Sequence, residues 1–154
     1  MSPSESIPLL YQQYRQERNT QVTEEQFQTF TVFFPTLIII VSDGVIDLEE
    51  WDYVKQLARF MAKTFKHEGG GQENDVDVEA LANEYLKEIS YLIKFLRDWA
   101  DPFLDALVPY LANRPEAKVS ILECIQLFAE ASQGTSNEEQ SQIDDIKTRL
   151  QLES

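Results

Sequence analysis

The string SDGVIDLEE at Ser42 to Glu50 returns in degraded form as SQGTSNEE at Ser132 to Glu139. Each copy follows an apolar run and opens a second, amphipathic one. Glycine can end a helix in the left-handed conformation without steric cost. A capping residue followed three places on by Glu starts the next helix. With one residue deleted from the second copy, Asp47 aligns with Ser136 and Glu50 with Glu139. Val54, Leu57 and Met61 then align with Ile143, Ile146 and Leu150. Caps and apolar positions agree together. The chain is therefore expected to be all-α, with two helical hairpins related by a pseudo-twofold axis.

Strand signals are nearly absent, and apolar residues recur at helical spacing almost throughout. The pattern predicts seven helices in a single domain. The first spans about 8–18. The second is capped by Thr23 with Gln26 in the reciprocal place, and runs to about Val41 with Pro35 expected to kink it or leave a local bulge. The third starts at Asp47 and stops near His67. It buries Trp51, Val54, Leu57, Ala58 and Met61. The fourth spans about 78–99. Asp101 and Pro102 read as cap and first turn of the fifth, which ends near Ala112. Pro115 opens the sixth and Ser136 caps the seventh. Residues 1–6 are expected to be a flexible tail, and the glycine-rich acidic stretch 68–77 a mobile loop. Phe27, Phe30, Phe34, Tyr85, Trp99 and Phe103 fall at core spacing and read as packing residues.

Thirteen basic residues against 27 acidic ones leave a net charge of -14. That field repels nucleic acid and anionic lipid, and favours a cation or a basic protein partner. One cysteine and one histidine exclude an internal disulfide and any cysteine- or histidine-rich zinc cage. Cys124 falls among apolar neighbours and reads as a buried packing residue. No signal peptide is evident. The longest apolar run, Phe33 to Val41, is far too short for direct membrane insertion. A cytoplasmic location is expected.

The first hinge concentrates carboxylates and is the best candidate for chemistry. Every residue in it also has a structural role. Gly44 turns the chain, Asp47 caps, and Glu49 and Glu50 meet the positive end of the helix dipole. Its DGxIDxxE spacing matches the later half of an EF-hand loop. However, the first two ligand positions fall on apolar Ile39 and Val41, so an EF-hand proper is not expected. A smaller oxygen-ligand site on Asp43, Asp47 and Glu50 would favour calcium, magnesium or manganese. A weaker copy would use Glu138 and Glu139. No nucleophile motif or phosphate loop is present, which argues against an enzyme. A metal-dependent hydrolase ranks behind a binding module, and a metal-independent adaptor with an acidic surface is the alternative.

The acidic turn after an apolar helix, repeated near the C-terminus, resembles the TerB-like family of tellurite-resistance proteins. The likeness covers about Thr23 to Leu152. It implies an all-helical fold, a stress-response setting and an acidic cation-binding surface. By position, the family's acidic turn falls on Asp43, Asp47 and Glu50, and its second turn on Glu138 and Glu139. Gln133, Ser136 and Asn137 depart from the pattern.

Overall fold

A computed structural model of the chain describes residues 6–41, 48–68, 77–131 and 137–152, without the side chains of 68, 129–131 and 137–139. These residues form seven helices and no strand: α1 (Ser6–Glu17), α2 (Glu24–Ile40), α3 (Leu48–Glu68), α4 (Val78–Lys94), α5 (Leu96–Leu111), α6 (Pro115–Ala131) and α7 (Asn137–Leu150). Most of the expected tail and glycine-rich loop lies outside the described residues. At their edges, Ser6 already belongs to α1 and donates to the Ala106 carbonyl at 2.8 Å. Asp77 caps α4 by accepting from the amides of Glu79 and Ala80.

The centre of the molecule is α2. Its capping box is the one the sequence specifies: Thr23 accepts from the Gln26 amide, and the Gln26 side chain accepts from the Thr23 amide. Beyond Phe30 the helix has almost no polar face, and a helix apolar on all sides must be enclosed by others. It packs against α1, α3, α5, α6 and α7. The helix continues through Pro35.

The second halves of the two hairpins bury equivalent residues. Val54, Leu57 and Met61 on α3 are buried, as are Ile143, Ile146 and Leu150 on α7. Their settings differ. Helix α3 lies along α4 and α2, whereas among the described residues α7 packs on α2 and α5. The repeat is thus preserved in which face each helix presents to the core.

The break between the fourth and fifth helices corrects the sequence expectation. It falls at Phe95, whose backbone leaves the helical region (φ -119, ψ 29), and not at Asp101. Pro102 lies inside α5. Turning at Phe95 lets Trp99, Phe103 and Leu107, spaced by four, fill the core together. Asp101 is left on the surface, where with Asp105 it receives the two arms of the Arg149 guanidinium from α7 at 2.9 and 2.8 Å.

One buried carboxylate ties α1 to α4. Glu88 is 4% exposed and accepts from the Tyr14 hydroxyl at 2.6 Å and from Arg18 Nε at 2.7 Å. The Arg18 guanidinium also covers the face of Tyr91, 4.6 Å from its centroid. Burial, reinforced by Glu88, pushes the Tyr14 phenol far above its ordinary pKa. Burial alone does the same to Tyr85, whose hydroxyl donates to the Gln26 carbonyl at 2.7 Å.

Both phenols stay protonated in the fold while unfolded tyrosine ionises near pH 10. Below that pH neither state changes and these groups add no slope. Above it the unfolded chain releases protons that the fold retains, so stability falls by about 1.4 kcal/mol per pH unit for each phenol. The melting temperature should therefore drop steeply above about pH 10. Tyr14→Phe and Tyr85→Phe should each flatten that drop by about half. An unchanged slope in both variants would show that other groups govern it.

Candidate functional site

The acidic hinge is only partly visible. Asp43 and Asp47 lie outside the described residues. Glu50 stands in the first turn of α3 and is half-buried. Its neighbour Glu49 accepts from the Tyr53 hydroxyl at 3.1 Å. Glu138 and Glu139 stand in the first turn of α7, and their side chains are among those not described. Among the described residues no three His, Cys, Asp or Glu side chains converge as metal ligands would.

A recess with the dimensions of a binding site lies elsewhere, between α3 and α6. Both helices rest on α2. They run in opposite directions: the start of α3 meets the end of α6 where Tyr53 packs edge-on against Phe128, with ring centroids 5.2 Å apart. The end of α3 approaches the start of α6 where Thr64 shares a smaller hollow with Ala117 and Ser120. The valley between them holds an open recess of about 440 Å³. That volume lies in the range of small-ligand pockets.

The recess is apolar inside and charged on one edge. Thr36 and Ile40 of α2 form its floor. Leu57 and Phe60 line it from α3, and Cys124, Leu127 and Phe128 from α6. Phe60 is 42% exposed and Leu127 59%, so the lips present apolar surface to water. Gln56, Arg59 and Lys63 stand on the α3 side. Arg59 reaches across to Glu79 on α4. Lys63 forms no ion pair among the described residues.

The floor contains one unsatisfied polar atom. Thr36 is 1% exposed and its Oγ1 has no hydrogen-bond partner among the described residues. Thr31, one turn earlier, avoids this by donating back to the Phe27 carbonyl at 2.8 Å. Leaving a buried hydroxyl unpaired costs about 1–3 kcal/mol. Burial pushes the neighbouring Cys124 thiol up in pKa, and proximity to Thr36 offsets this only in part. Their contact falls short of hydrogen-bond geometry. A buried thiol of raised pKa is a poor nucleophile, so its burial agrees with the packing role expected for it.

Sequence reasoning missed this recess because it is a gap between elements some 60 residues apart. A signal was present on α3, where Lys55, Arg59, Lys63 and Lys66 recur at steps of four, four and three. That spacing aligns cations on one helix face in a chain that is otherwise strongly acidic. No family model, curated protein or solved structure matches the chain.

Proposed function

We propose that this protein is a non-enzymatic binding module that receives its partner in the groove between α3 and α6. The observation that carries this reading is the recess itself: apolar, open to solvent, flanked by exposed Phe60 and Leu127, and floored by a hydroxyl unpaired among the described residues. Exposed apolar surface concentrated in a concavity is costly to maintain unless something covers it. The reading suits a TerB-like module acting as an adaptor, and needs no catalytic group.

A neutral solvatochromic dye such as Nile red tests the groove directly. Its emission should rise with wild-type protein and return to the buffer level with Leu127→Asp. Leu127 is exposed, so the change should leave the helical signal and melting point nearly unchanged. Equal dye emission from both proteins would remove the groove from consideration.

The cation reading stands beside this one, with Asp43, Asp47 and Glu50 as ligands and calcium, magnesium or manganese as the ion. What favours it is the placement of Glu50 in the first turn of α3, half-buried at the hinge. An ion bound only by the folded state, at about a hundred times its dissociation constant, adds roughly 2.7 kcal/mol. The melting point should rise in wild type and stay fixed in Asp43→Asn with Glu50→Gln. A wild-type melt indifferent to all three ions would end this reading.

A further inference from the structure

We infer that the occupant of the α3/α6 groove is an amphipathic helix with one acidic flank, an inference that rests on the groove being the binding surface. Length is the first reason. From the Tyr53–Phe128 contact to Thr64 on one wall and Ala117 on the other, each helix advances eleven residues. At 1.5 Å per residue the recess and the smaller hollow beyond it together span about 16 Å, or three helical turns. An apolar stripe repeating at three and four residues would lie along that span, with side chains entering between Phe60 and Leu127.

Charge is the second reason, and it distinguishes the two walls. Arg59 and Lys63 line the recess from α3, and Lys55 and Lys66 continue the same helix face one turn to either side. Their spacing makes a ridge of about 16 Å, matching that span. Helix α6 carries exposed Glu116 and Glu123 against one lysine, Lys118, whereas the exposed acids of α3, Glu49 and Asp52, lie near its start, before the ridge. A small carboxylate would need one cation, whereas Lys55, Lys63 and Lys66, with Arg59 shared with Glu79, match a partner with acids repeated along one flank. The net charge of -14 favours the opposite partner, a basic one, at long range. At physiological salt that field is screened beyond about 8 Å, and the ridge decides what binds in contact with it.

Two synthetic helical peptides of about sixteen residues, alike in their leucine stripe, put the two partners in competition. One carries glutamates on a flank and the other lysines. At 0.15 M salt the acidic peptide should bind the full chain about tenfold more tightly, as a few surface ion pairs allow. Leu127→Asp should abolish binding of both. Reversing Lys55, Lys63 and Lys66 to glutamate should invert the preference. Equal binding of the two peptides by wild type, or a preference indifferent to charge reversal, overturns the inference. If Nile red reports the groove while the peptides show no acidic preference, the inference alone fails; if the dye fails too, the groove reading falls with it. Sedimentation of wild type alone as a dimer that Leu127→Asp dissociates would assign the groove to a second copy and likewise overturn it.

Discussion

Phe103→Ala is expected to destabilise the protein by about 3–5 kcal/mol. Phe103 is fully buried on α5 and stands where α1, α2 and α5 meet. Its ring stacks on Phe34 at 4.2 Å and lies 5.5 Å from Phe27 and 6.0 Å from Tyr14. Phe30 and Trp99 complete the cluster. Removing the ring forfeits its transfer energy and leaves a void that five other aromatic rings cannot collapse to fill. Domains of this size are stable by about 5–15 kcal/mol, so one substitution would consume much of the margin. Urea unfolding followed by tryptophan emission measures it, with an unchanged denaturant slope as the sign that the cost is in stability. Phe103→Leu should recover most of the loss. A cost below about 1.5 kcal/mol for the alanine variant would mean that the cluster is looser than its ring geometry indicates.

Glu88→Ala should cost about 3–5 kcal/mol, for an electrostatic reason. The carboxylate is buried among Tyr14, Arg18 and Tyr91, and its removal strands a buried phenol and a partly buried guanidinium. The penalty belongs to the groups left behind. Replacing all three polar groups, as Glu88→Leu with Tyr14→Phe and Arg18→Met, should therefore restore stability to within about 1–2 kcal/mol of wild type. Arg18 retains some solvent access, which moderates the single-variant effect. If the triple variant is less stable than Glu88→Ala, the network contributes net stability and is more than a satisfied burial.

These two sites differ in how far the sequence discloses them. The aromatic core was legible: Phe27, Phe30, Phe34, Tyr85, Trp99 and Phe103 all occupy the buried positions that helical spacing assigns. Glu88 was not, since a lone acid beside the stripe of α4 reads as the edge of the polar face. Only the fold brings Arg18, seventy residues earlier, to meet it. Local chemistry also misplaced the α4/α5 break. Asp101 followed by Pro102 is a strong start signal, yet the need to bury Trp99 with Phe103 moved the turn to Phe95. Of the two functional candidates, the hinge is a local string and could be read directly. The groove depends on how α3 and α6 are spaced across α2, which no local pattern encodes.

Cys124 lines that groove from α6, beside its floor, and is the only thiol in the chain. Its alkylation by a small neutral reagent, slow because the thiol is buried, reports how often that wall is uncovered, one reporter per molecule and no label to introduce. Any molecule seated between Phe60 and Leu127 should slow that clock, so candidates for the proposed occupant can be screened by mass spectrometry on unmodified protein.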